Sequence, residues 1–159
     1  MKKMKMALLA AVVSSAFVFS GCDKDDNENM NNATYTLSGN ASGSQVDPPT
    51  TTNGTAAISG TYNSNTNVMS YTIIYNDLNS TPATGGFYSK VTGQSDINIG
   101  AAFSLGTSPA ASSGSVTGTM TLSADEEAKL LANQWYYIIR TSTEPNGEVR
   151  GQITTTVKN

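Results

Sequence analysis

The chain has 159 residues, enough for one domain with its own core, and its apolar content of 38% and aromatic content of 8% supply the material for that core. Charged residues make up only 13% while Thr, Ser, Asn and Gly are plentiful, a balance that suits half-exposed strands and tight turns better than solvated helices. There is no histidine and a single cysteine, Cys22, which excludes Ser-His-Asp and Cys-His nucleophilic catalysis, histidine or thiolate metal sites and dithiol redox cycling.

At the amino terminus, Lys2, Lys3 and Lys5 precede an apolar run from Met6 to Phe19, too short for a membrane span, and the small residues Ser20 and Gly21 lead into Cys22. This predicts a signal peptide over residues 1–21. The junction "FSGC" resembles the bacterial lipoprotein box, with Phe19 where Leu is usual. The resemblance implies that Cys22 is acylated after cleavage and anchors the protein to the outer membrane of a bacterial envelope without spanning it. Residues 22–32, "CDKDDNENMNN", have no periodicity and predict a disordered tether. Its acidic run is similar to the surface-export signals of some Gram-negative lipoproteins, but a solvated linker explains it equally well, so surface or periplasmic display stays open. Removing residues 1–21 takes three lysines and no acids, leaving six basic against twelve acidic residues, a net charge of −6 that argues against a nucleic-acid partner.

From residue 33 to residue 159 the chain alternates in short runs broken by turn residues, which predicts a single all-β domain, a β-sandwich or barrel. A short strand "YTL" (Tyr35 to Leu37) opens it. The Gly-rich "GNASG" (Gly39 to Gly43) and "TGG" (Thr84 to Gly86) lack a following helix and a phosphate-binding lysine and read as turns. Strands follow over Gly54 to Tyr62 and Val68 to Leu78, the latter with Met69, Tyr71, Ile73 and Tyr75 on one face. In "GSVTGTMTL", Val116, Gly118, Met120 and Leu122 face the core, and Ser115, Thr117, Thr119 and Thr121 face water. One short helix is predicted near 123–132, started by a capping box between Ser123 and Glu126, with Asp125, Glu126 and Glu127 at its positive end. The stretch "YYIIRTSTEPNGEVRGQI" predicts a hairpin with a tight turn at "PNG", whose return strand sets Val149, Gly151, Ile153, Thr155 and Val157 on one face and Glu148, Arg150 and Gln152 on the other.

Few groups remain that could carry chemistry. Asp47, Asp77, Glu144 and Glu148 are candidates for a hydrolytic carboxylate pair, although each lies at a turn signal, and Asp77 and Asp96 suit a calcium loop without matching an EF-hand spacing. Arg140, Glu148 and Arg150 can hold an anionic or sugar-like ligand through charge-assisted hydrogen bonds, or can brace neighbouring strands. Tyr62, Tyr88, Trp135 and Tyr136 favour glycan or protein contact if they are exposed together.

Several segments in order, "SQVDPP" (Ser44 to Pro49), "GTAAISGTYNSNTNVMSYTIIYNDL", "TPAT" (Thr81 to Thr84) and the hairpin with its Pro-x-Gly-Glu-Val-Arg-Gly-Gln pattern, resemble the CHRD domain family over Tyr35 to Val157. The resemblance implies a Greek-key β-sandwich or barrel like copper-zinc superoxide dismutase in outline. It also sets a His-x-His of many bacterial members on Phe87, Tyr88 and Ser89, and a later His on Arg140. None of these positions can ligate copper well here, so the resemblance implies a scaffold without metal and without a cofactor. The expectation is a non-catalytic binding or structural module. The alternative is an enzyme, either a degenerate dismutase-like metal oxidoreductase or a carboxylate-pair hydrolase.

Overall fold

The computed structural model describes residues 32–90, 97–103 and 111–158. The predicted signal peptide, Cys22, all of the tether but its last residue, and Asp96 lie outside them. The domain is all-β: β1 (Thr34–Ser42), β2 (Thr55–Asn63), β3 (Val68–Asn76), β4 (Pro82–Ser89), β5 (Ile97–Phe103), β6 (Gly114–Thr121), β7 (Trp135–Thr141), β8 (Val149–Gln152) and β9 (Thr154–Val157), with one helix, α1 (Ala124–Leu131), between β6 and β7. The strands form one antiparallel sheet in the order β5-β4-β7-β8-β1-β2-β3-β6, with β9 continuing β8 along β1. The chain therefore runs from one end of the strand order to the other after β3 and back again after β5. The sheet curls until β3 faces β4, with Tyr71 meeting Phe87 edge to face at 4.9 Å between ring centres.

The alternation expected in β3 is present, with Met69, Tyr71, Ile73 and Tyr75 all buried. In β6 the Val116, Gly118 and Met120 face turns inward and the Ser and Thr face outward, as the period-2 pattern requires. Glycine and tyrosine are matched across this pair. Tyr71 is the register partner of Gly118 and Tyr75 of Gly114, and a Cβ at Gly118 would lie 2.4 Å from the Tyr71 hydroxyl. The missing side chain is what lets each ring lie across the neighbouring strand. The helix begins at the predicted capping box, in which Ser123 Oγ accepts from the Glu126 N–H and Glu126 Oε2 accepts from the Ser123 N–H at 2.7 Å, and it seats Leu130 in the core.

Three local expectations are corrected. "GNASG" is not a turn, because Gly39 to Ser42 belong to β1, and Gly39 lets the Gln152 carbonyl approach to 2.1 Å from where a Cβ would stand. "TGG" lies within β4, where Gly85 makes room for the ring of its register partner Phe103. Val157 is 43% exposed and leaves the buried face, because the chain steps from β8 to β9 at Ile153, which donates its N–H to the Trp135 carbonyl.

Candidate functional site

The hairpin of β7 and β8 pairs in register from Tyr136 with Gln152 to Ile139 with Val149. Its connection is a loop over 142–148 that contains the predicted tight turn at Pro145 and Asn146. The Glu144 carbonyl accepts from the N–H groups of Thr141 and Gly147, and the positive φ of 138° falls on Gly147. Backbone pairing resumes where the Glu148 N–H donates to the Ile139 carbonyl at 2.8 Å.

Opening the loop carries Glu148 inside. It was expected on the same strand face as Arg150, but it precedes β8 and is completely buried, as is Val149 after it, so the strand alternation starts one residue later. Its Oε1 accepts from Thr52 Oγ1 at 2.7 Å and from the Asn79 N–H at 2.6 Å, and its Oε2 accepts from Thr141 Oγ1 at 2.7 Å. Thr50 Oγ1 donates to the Glu148 carbonyl as well. One carboxylate thus ties the loop before β2, the connection after β3 and the end of β7, and its hydrogen bonds replace the water it lost on burial.

The two arginines are on the other side of the sheet. Arg140 lies over the Tyr88 ring at 5.1 Å and donates from Nη1 to the Tyr88 hydroxyl at 2.7 Å. Arg150 lies 3.9 Å above the Tyr136 ring and donates from Nη1 to the Gln45 carbonyl at 3.2 Å. Tyr88 and Tyr136 stack with ring centres 5.5 Å apart. The result is a cation–aromatic tier on the outer face of β4, β7 and β8. It lines an open cavity of about 390 Å³, completed by Ile138, Val46, Asp47, Lys90 and Asn146. Among the described residues the ion pair is Lys129 with Asp125 on the helix, so neither half-buried arginine has a carboxylate partner.

A match to the family model described as CHRD domain covers residues 37–153. The chain belongs to the CHRD domain family. No curated protein and no solved structure matches it. The match runs from Leu37 within β1 to Ile153 and so includes Glu148, both arginines and the loop that carries Asp47.

In this CHRD domain the residues proposed for the family's histidine positions do not converge. Phe87 and Ser89 point inward: Phe87 packs on Tyr71, Phe103 and Trp135, and Ser89 is fully buried opposite Trp135. Ser89 Oγ and Trp135 Nε1 have no hydrogen-bond partner among the described residues. Arg140 faces outward with Tyr88, because successive strand residues alternate and β4 pairs Thr84, not Phe87 or Ser89, with Arg140.

The four carboxylate candidates stand in four different settings. Glu148 is saturated by three donors, Asp47 lines the arginine cavity, Glu144 borders a cavity beside Pro48 and Pro49, and Asp77 is exposed, in a left-handed conformation (φ 52°), with its N–H donating to Ser113 Oγ. No group of three His, Cys, Asp or Glu side chains placed to hold a metal is present among the described residues. An exposed aromatic cluster is not formed either. Tyr62, Trp135 and Tyr136 are buried and only Tyr88 is partly open, so an aromatic contact surface is withdrawn. Sequence alternation could not show this, because β7 is covered on both faces and buries Trp135 through Ile139 in succession.

Proposed function

We propose that this CHRD domain is a non-catalytic binding module, held at a bacterial envelope by an acylated Cys22, and that its ligand is anionic and sits in the cavity around Arg140 and Arg150. The observation that carries the reading is the pair of half-buried guanidiniums on stacked tyrosines, neither of which is ion-paired among the described residues. Arginines set in place by aromatic faces keep most of their N–H groups for an incoming anion, and their rotamers are already restricted, which lowers the entropic cost of binding. Glu148 supports the cavity by fixing the loops on either side of it and takes no part in contact, since its oxygens already accept from three donors.

Two measurements test this reading. Fractionation of cells carrying Cys22→Ala is expected to find the protein released from membranes, and unchanged membrane retention would remove the anchor. Titration of the full chain with organic anions is expected to show binding that Arg140→Gln and Arg150→Gln each weaken by about tenfold, the scale of one charge-assisted bidentate contact. Anion binding indifferent to both substitutions would reject this cavity as the site.

A further inference from the structure

We infer that the anion is the carboxylate of an acidic sugar, a uronate-type ring presented free or within an acidic polysaccharide; this rests on the anion-binding reading above. The cavity is bipolar in its hydrogen-bonding capacity. Arg140, Arg150 and Lys90 can only donate, and Asp47, ionised, can only accept. A ligand that satisfies both must bring an anionic acceptor and neutral hydroxyl donors on one small frame. A uronate ring does so, with its carboxylate toward a guanidinium edge and ring hydroxyls toward Asp47 and the Asn146 amide. A phosphate ester group offers acceptors alone, and its second negative charge would face Asp47.

The shape of the cavity agrees with this class. Arg150 lies over the Tyr136 ring at 3.9 Å and Arg140 over the Tyr88 ring at 5.1 Å, each with Nη1 already donating, so the remaining donors of each planar guanidinium are left for a carboxylate, which such an edge meets with two parallel bonds. The walls contributed by Ile138 and Val46 are apolar and suit the C–H face of a pyranose. At about 390 Å³ the cavity lies toward the small end of small-molecule sites. The mature chain is acidic overall, so recognition of an anion must be made by these local donors rather than by the field of the whole molecule.

The experiment is calorimetric titration of the full chain, purified in detergent, with a glucuronate-containing disaccharide, its methyl ester, and inorganic phosphate. The acid is expected to bind, the neutral ester at least tenfold more weakly and phosphate not measurably. Asp47→Ala is expected to weaken the acid several-fold although it removes a negative charge, which a purely electrostatic site would answer with tighter binding. Arg140→Lys keeps the charge and the fold but not the fork, and is expected to lose about as much as Arg140→Gln. Equal binding of acid and ester, or phosphate binding that depends on Arg140 while the disaccharide does not bind, overturns the acidic-sugar assignment, and the second result leaves the anion site standing. Absence of any anion binding sensitive to Arg140 and Arg150 overturns both.

Discussion

Two halves of the one sheet share an inner face of aromatic and aliphatic side chains but differ on the outside. Across β9, β1, β2, β3 and β6 the outer face is built of hydroxyls in register. One row runs Thr156, Thr36, Thr61, Ser70, Thr119, and the next runs Thr154, Ser38, Ser59, Thr72, Thr117. These five strands contain no Asp, Glu, Lys or Arg. Across β4, β7 and β8 the outer face carries the two arginines, the adjoining loops bring Asp47, Lys90 and Glu144, and Glu148 is buried on the opposite side. The difference follows from covering. Where water is the neighbour, Thr and Ser satisfy strand propensity and solvation at once, and nothing more is required. Where loops roof the sheet, polar groups lose water and must find one another, and fixed charges and a cavity result.

If that contrast is right, substitutions on the roofed half should be costly and those on the hydroxyl half nearly silent. The largest effect is expected from Glu148→Ala, which leaves Thr52, Thr141 and the Asn79 N–H without their acceptor; denaturant unfolding should show a loss of about 3 to 5 kcal/mol. A loss below 1 kcal/mol would mean that the carboxylate is not what joins the loops. Next, Gly118→Val drives a side chain into the Tyr71 hydroxyl on the inner side of the hydroxyl half and should remove about 2 kcal/mol, part of which Tyr71→Phe restores in the double variant. Strict additivity of the two would show that the Gly118–Tyr71 pairing is not what limits the packing.

Ser89→Ala is expected to act in the opposite direction. Deleting a buried hydroxyl that has no partner among the described residues should raise stability by about 1 kcal/mol, and a lower melting temperature would show that the hydroxyl is satisfied in solution. The smallest effect belongs to Thr117→Ala, within about 0.5 kcal/mol by the same unfolding measurement. A larger loss there would give the hydroxyl rows a structural weight that solvated strands do not carry.

Much of this was legible in the amino-acid order and some was not, for physical reasons. The period-2 runs of β3 and β6 and the Ser123–Glu126 box are local patterns, and they reappear in the fold because one face of each element is plainly dry or plainly wet. The strand character of Thr84 to Gly86 was hidden because glycine weakens a strand on its own. Only Phe103, eighteen residues later in sequence and opposite Gly85 in register, supplies the missing bulk. The site was half legible. Arg140 and Arg150 stood out as charges in an apolar hairpin, but the Tyr88 seat of Arg140 and the stack of Tyr88 on Tyr136 depend on the pairing of β4 with β7. The inward turn of Glu148 depends on Thr52 and Asn79, 96 and 69 positions away in sequence.

The same distances bear on how the domain assembles. The first strand, β1, pairs with β2 immediately but waits for β8 and β9 to cover its other edge. A growing chain that has reached Thr141 already holds the Thr52 and Thr141 hydroxyls and the Asn79 amide, yet lacks the acceptor that all three share. Topologies dominated by such non-local closure fold slowly, in milliseconds to seconds, because the entropy of gathering distant segments is lost before any contact repays it. The roofed half, and the cavity with it, should therefore be the last part of the molecule to acquire order, which pulse-labelled hydrogen exchange would show as late protection of Asn79.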